Sequence, residues 1–430
     1  MSYLKRKKNN SKQTLSLLAK LFIAVLLVTV FEGALRKWIS NGLTYPLVAL
    51  RDGLTAYGVL WGLFKGRCYK AQYFNTLLIF SLILFWWGII QLFVNGTSPI
   101  VFILGLRFWL LYLWFAFFVG VSITDYDFTI ITKLMVTLVI IMTPLVILQH
   151  FSPPLSFINR QPVAGSLIFL VMKGIVRVTS TFSFTAGYTI FLAMATPFIF
   201  ISFNKGKALW DNKWVANLGL LSLLISNIVS GSRGALIFFG AFFLIYVLVI
   251  FFSSKGKEKT QSIYLLVVMA FILMLSSLVF DRAIDASQQR FETASQNEDP
   301  IDRLIYTFGT QGEITILGEG LGLGSNVAGV FSNGYRSMLL AESENARVIL
   351  EVGILGVIVT LFKISLIIIA SYKAYKIAMK SGDISAFLIW VAVAVALLSW
   401  SIIGQLTINS LGYLLVGLGV FAIRTKKHNA

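Results

Sequence analysis

Cysteine is all but missing. Cys68 stands alone among 430 residues, which excludes an intrachain disulfide and any cysteine metal cluster. Histidine is nearly as scarce: His150 and His428 lie far apart, and no HExxH-like spacing occurs. The residues therefore offer no metal site. Acidic side chains number 18 against 36 Lys and Arg, and charged residues make up only 13% of the chain. That is about half the charged share of a typical soluble domain.

What is there instead is apolar. The chain is 57% hydrophobic, with a mean hydropathy of +0.83. That is the composition of a polytopic helical membrane protein, whose first partner is the lipid bilayer. The net charge of +18 would also suit nucleic acid. In a membrane protein, however, Lys- and Arg-rich cytoplasmic loops are the ordinary source of such a surplus, so no nucleic-acid partner is expected. The basic start MSYLKRKKNNSKQ runs into an apolar span without a small-residue cleavage site. It reads as the lead into a retained first helix.

A helix crossing the hydrocarbon needs about 20 mostly apolar residues. Twelve stretches qualify: 15–35, 43–64, 74–94, 100–122, 130–151, 186–203, 214–230, 234–253, 262–280, 347–370, 384–404 and 407–423. Arg51, Asp52 and Arg107 interrupt the second and fourth. With the N-terminus inside, every lysine-rich loop falls on one side, from Lys5–Lys12 through Lys65 and Lys70, Lys205–Lys213 and Lys255–Lys259 to Lys373–Lys380 and Lys427. The short-loop charge rule then makes both termini cytoplasmic. The expected fold is a single all-α polytopic membrane domain over 1–430, with about twelve transmembrane helices and a long extracytoplasmic loop, 281–346, between helices nine and ten.

Function is expected on the outer side. Segment 281–346 carries Arg282, Arg290, Arg303 and Arg336 but no lysine, and Arg177 and Arg233 fall on the same side. Arginine keeps its charge and its fork matches phosphate oxygens. Arg233 lies at a tight turn, SGSRG, between two apolar runs. It reads either as an anion-binding group beside a helix N-terminus or as a snorkelling side chain. Arg177 heads VRVTSTFSFTAGY, whose hydroxyls either line a polar cavity or cap the next helix. The glycines 318, 320, 322 and 324 resemble a phosphate-cradling loop only superficially, and fit an irregular re-entrant or surface loop better. At the start of span ten, ESENARVILE places Glu342, Glu344, Asn345, Arg347 and Glu351 together. A partly buried carboxylate there could act as a general base; alternatively Ser343 caps a helix whose first turn is acidic. Arg107 is an intramembrane charge, functional or paired with a carboxylate such as Glu32 or Asp52. The scattered Trp and Phe residues read as lipid-facing or interfacial.

The ordered set RVTSTFS, SGSRGAL, DRLIY, GEGLGLG and ESENARVILEVGILG resembles the O-antigen ligase and O-antigen polymerase superfamily, in motif detail over roughly 175–360. FEGALRKW and ALRDGLTAYG resemble further stretches of that group, without a role attached to them. The resemblance implies a glycosyltransferase of the bacterial plasma (inner) membrane, independent of metal, nucleotide or other cofactor. It would use an undecaprenyl-diphosphate-linked glycan as donor, beside a flippase and a chain-length regulator. Arg233 and Arg303, with Arg177, would hold the diphosphate. Arg107, Arg336, Asn345 and Arg347 are further candidates for substrate binding. Where ligases of this group carry His-Asn, this chain has Glu344-Asn345. The base is then Glu344 or Glu342, and the departure favours a polymerase of repeat units over a ligase. A transporter of polysaccharide or another anion is the alternative from a different class.

Overall fold

The computed structural model describes residues 14–65, 71, 73–162, 170–172, 175–212, 214–253, 266, 315–331 and 343–425. Thirteen α-helices of eight or more residues organise them: α1 Leu17–Trp38, α2 Thr44–Phe64, α3 Phe74–Val94, α4 Pro99–Leu106, α5 Tyr112–Ser122, α6 Asp125–Phe151, α7 Thr185–Lys205, α8 Trp214–Val229, α9 Arg233–Ser253, α10 Glu344–Val352, α11 Ile354–Ser381, α12 Ser385–Ser399 and α13 Leu406–Thr425. A π-turn at Arg107–Leu111 joins α4 to α5 within one continuous span. Among the described residues, nine spans are long and apolar enough to cross a membrane, and α8 and α12 are shorter apolar helices. The chain is thus a helical, polytopic membrane protein. In hydrocarbon a helix satisfies its own backbone groups, which is why apolar runs of this length take no other form. The candidate span 262–280 lies outside the described residues, apart from 266.

Both charge-interrupted spans exist as helices. Span ten is corrected: it starts at Ile354, and 344–352 is a separate short helix. Two short antiparallel strands, β1 Leu170–Met172 and β2 Ile175–Val176, are the one departure from all-α among the described residues.

Contacts between distant segments sort the helix ends into two groups. At one end, Ser16 N–H donates to Asp127 Oδ1 at 3.0 Å, Arg424 donates to Ile123 O at 2.8 Å, and Lys205 pairs with Asp383 at 3.2 Å. At the other, Lys37 Nζ donates to Thr179 Oγ1 at 3.0 Å, Asn95 Nδ2 to Gly318 O at 2.7 Å, and Asn326 N–H to Gly404 O at 2.8 Å. The starts of α1 and α6 and the end of α13 therefore share an end, as an up-and-down bundle requires. The site lies at the opposite end.

Helix α7 runs through the middle and is buried over most of its length, whereas α2, α3 and α11 leave most of theirs open to lipid. Helices α5 and α13 pack along each other where Gly120 meets Gly417 and Gly417 meets the Ala116 backbone. Without a hydrophobic drive between helices in lipid, small residues that admit close backbone approach supply the attraction. The aromatic reading needs a partial correction: Trp109, Trp390 and Trp400 are buried, and the first two donate their indole N–H, to Glu351 and to Gly419 O. A buried indole needs such a partner.

Candidate functional site

The site begins with α10. Ser343 accepts from Ala346 N–H at 3.0 Å and so caps the helix, as the sequence suggested. The helix does not continue into span ten. Gly353 reverses the chain at φ +60°, and α10 folds back along α11, so that Gly356 touches Val348 and Ile349 while Lys363 Nζ donates to Asn345 Oδ1 at 2.5 Å. This fold-back carries Glu344 to the level of the third turn of α11. Every α10 side chain but Leu350 is buried.

Glu344 and Glu351 are both fully enclosed but differently used. Glu351 Oε2 accepts from Trp109 Nε1 at 2.8 Å and its Oε1 from Gly324 N–H at 2.7 Å. Both oxygens are committed to holding the fold. Glu344 Oε1 accepts from Ile403 N–H at 2.7 Å, while Oε2 has no hydrogen-bond partner among the described residues and faces Arg347 Nη1 at 3.8 Å. Arg347 also donates to Ser401 Oγ. Burial pushes both carboxyls up to about 7, against the Ile403 amide, Arg347 and Lys363 for Glu344, and against the Trp109 and Gly324 donors for Glu351. Loss of water outweighs these partners because an ionised carboxylate in a dry interior forfeits far more hydration than a few donors return. A carboxyl poised near neutrality with one uncommitted oxygen has the chemistry of a general base.

The glycine segment wedges beside α10. Residues 318–325 are mostly buried and run between α10, the end of α3 and the start of α4. The segment is therefore packed between helices rather than laid over the surface. Gly322, at φ +96°, lies directly on the α4 backbone at Val101 and Gly105, where no Cβ fits. Gln91 pins the segment: its Nε2 donates to Leu317 O at 2.5 Å and Glu351 O at 2.8 Å, and its Oε1 accepts from Leu321 N–H at 2.9 Å. The phosphate-cradle likeness fails on the same bonds. The amides of 319, 320, 321, 323, 324, 325 and 326 all donate within the protein, so they cannot cradle an anion.

The π-turn connects this pocket to a second polar cluster. Arg107 binds Asp52 with both Nε and Nη2 at 2.8 Å, which settles its carboxylate partner as Asp52. Tyr112 O–H donates to the same carboxylate at 2.8 Å. Arg51, fully buried, donates from Nη1 to Glu32 Oε2 at 2.9 Å, and Thr407 reaches Glu32 Oε1 at 3.4 Å. The Phe108 carbonyl, in the π-turn, accepts from Asn409 at 2.8 Å. A π-turn frees carbonyls and shifts side chains around the helix, and such turns gather at functional sites.

The third wall is RVTSTFS. It crosses α1 where Gly33 leaves no room for a Cβ against the Thr181–Ser183 backbone. Lys37 binds Thr179 Oγ1 and Ser180 O, and Gln149 takes the Ser180 N–H at 2.7 Å. Together they hold Ser180 at φ +49°, a left-handed position rare for a residue with a side chain. The capping alternative does not hold: Phe184 precedes α7 and no side chain caps it. The hydroxyls of Ser180, Thr181 and Ser183 are buried without a hydrogen-bond partner among the described residues, as a polar lining would leave them.

No family model, no curated protein and no solved structure matches this chain. The site therefore rests on its own geometry. Of the sequence-derived candidates, Glu344, Asn345 and Arg347 lie together on α10, whereas Arg107 belongs to the Asp52 cluster across the π-turn, whose Trp109 bonds Glu351. Arg177 sits on the RVTSTFS wall. Arg233 opens α9, half-buried, on a turn shaped by Gly231 at φ +64° and packed along α7 and α8. Glu342, Arg303 and Arg336 lie outside the described residues. Sequence reasoning gave FEGALRKW and ALRDGLTAYG no role, yet Glu32, Gly33, Lys37, Arg51 and Asp52 come from them. The available signal was charge inside apolar helices: Glu32, Arg36 and Lys37 near the end of α1, and Arg51 with Asp52 inside α2.

Proposed function

We propose that this protein is a membrane glycosyltransferase that polymerises undecaprenyl-diphosphate-linked oligosaccharide repeats into a surface or exported polysaccharide at the outer face of the bacterial plasma membrane. The observation that carries the reading is Glu344: a buried carboxyl pushed up to about 7, one oxygen without a hydrogen-bond partner among the described residues, beside Arg347 at the end of the bundle opposite the start of α1. With the termini cytoplasmic, that end faces outward, where a flipped lipid-linked donor resides.

In this reading Glu344 Oε2 takes the proton of an acceptor sugar hydroxyl. The hydroxyl oxygen bonds to the anomeric carbon of the donor, the bond from that carbon to the diphosphate oxygen breaks, and undecaprenyl diphosphate leaves. Arg233, Arg177 and Arg303 neutralise charge growing on the departing diphosphate, which a fixed cation does without reorganising. Arg347 and Lys363 hold Glu344 and Asn345 in place.

The test is the glycan profile of cells lacking this protein, complemented with the wild type, Glu344→Gln or Arg233→Ala. The expected result is accumulation of single lipid-linked repeats, rescued by the wild type and by neither variant. Finished polymer left on the lipid carrier would instead make the chain a ligase. Lipid-linked repeats that accumulate only on the cytoplasmic side would make it a transporter. An unchanged profile would sink the transferase reading.

A further inference from the structure

The charges inside α1, α2 and the α4–α5 span do not balance. Glu32 and Asp52 face Arg36, Arg51 and Arg107, and the three cations adjoin: Arg36 lies one turn from Glu32 and within the field of Arg51, and Arg51 Nε stands 3.8 Å from the Asp52 carboxylate that Arg107 grips. Two carboxylates therefore serve three guanidinium groups, all within one connected cluster.

The hydrogen bonds are just as incomplete. Arg51 is fully buried, yet its Nε and Nη2 have no hydrogen-bond partner among the described residues. The same holds for Arg107 Nη1, on a side chain 12% exposed, and for Arg36 Nε. A guanidinium cannot shed its charge and carries five donors in a fixed plane. Burying such donors unmet is strongly unfavourable, so native interiors supply a partner. Asp52 already accepts three bonds, from Arg107 and Tyr112, and Glu32 accepts one from Arg51 and a longer one from Thr407, yet neither carboxylate comes within hydrogen-bond distance of these remaining donors. Among the described residues the cluster lacks a further acceptor with several oxygens and negative charge.

We infer that Arg36, Arg51 and Arg107 form an oxyanion site that takes a phosphate or diphosphate group. A tetrahedral phosphate offers forked acceptors on several sides, which suits three guanidinium groups approaching from three helices. Arg51 lies seven residues inside α2 and Arg107 eight inside its span, so the site sits about 10 Å below the helix starts. The anion reaches it through the polar interior or enters laterally past α2, most of which is left uncovered by the other helices. The site binds its anion whether or not the chain transfers sugars, and its test contains no transfer step.

The experiment uses the purified full chain in lipid nanodiscs. Thermal midpoint and calorimetric affinity are measured with inorganic phosphate, with inorganic pyrophosphate, and with a polyprenyl diphosphate incorporated in the disc. Variants are Arg107→Gln and Arg36→Gln. Lys205→Gln, at the opposite end of the bundle, is a control of equal charge change. The expected result is a raised midpoint on adding at least one probe, affinity at least tenfold weaker in both site variants, and wild-type affinity in Lys205→Gln. Binding by soluble anions marks a free phosphate source, and binding by the polyprenyl diphosphate alone marks a lipid-borne one. The inference is overturned if no probe shifts the wild-type midpoint, or if the folded site variants bind as tightly as the wild type.

Discussion

Replacing Glu344 by Gln should leave stability nearly unchanged at pH 5 and raise it at pH 8. In the folded chain this carboxyl sits at about 7, against an ordinary value of 4.5. Between those values the folded state holds a proton that the unfolded state has released. The stability this supplies is complete below about 4.5 and is lost as pH rises through about 7. The difference corresponds to on the order of 3 kcal/mol for a fully buried group. Glutamine is nearly isosteric with the protonated acid, and its carbonyl can still accept from Ile403 N–H. It has no charge to desolvate at high pH. The variant should therefore lie within about 1 kcal/mol of the wild type at pH 5 and exceed it by up to about 3 kcal/mol at pH 8, while failing to make polymer. Thermal or denaturant unfolding in nanodiscs, stepped from pH 5 to pH 8, measures this directly. A variant less stable than the wild type at pH 8 would refute the reasoning. It would mean that Arg347 and Lys363 reward the ionised form more than burial penalises it.

Trp109→Phe removes a donor that steadies ionised Glu351, so the carboxyl should rise further above about 7. The pH-dependent loss of stability then moves to higher pH, readable in the same titration. Gln91→Leu strands the Leu321 amide and removes one of two donors from the Leu317 and Glu351 carbonyls, which keep Trp87 Nε1 and Gly320 N–H. It should lower stability by about 2 kcal/mol, with hydrogen exchange rising first in 317–324; unchanged exchange there would contradict the wedge. Gly33→Val forces a side chain into the Thr181–Ser183 backbone, and at least about 2 kcal/mol should be lost. Gly53→Ala, at an open position on α2, serves as its neutral comparison. Lys205→Ala breaks a partly exposed ion pair, and a change above about 1 kcal/mol would be unexpected.

Much of the fold was legible because hydropathy is a sum over local residues. Whether a stretch such as 74–94 can enter hydrocarbon depends on its own side chains, and the helix Phe74–Val94 follows. The Ser343 cap is local in the same sense, since its bond spans three residues. Span ten shows where locality ends. Residues 347–353 are apolar enough to pass as its first turns, and only Gly353 and the packing of Val348 against Gly356 turn them back as α10.

The site depended almost wholly on tertiary structure. Arg107 had two carboxylates within reach by sequence, and the rotation of α2 against the π-turn chose Asp52, leaving Glu32 to Arg51. Glu344 and Glu351 are chemically alike, and nothing local distinguishes them. Trp109, 242 positions from Glu351, and Gly324 consume both oxygens of one, while Ile403 takes a single oxygen of the other. The sequence by itself determined which segments enter the membrane, because that free energy is additive along the chain. Which buried charge is satisfied and which is left to act was decided by helix rotation and neighbours, and those exist only once the bundle has packed.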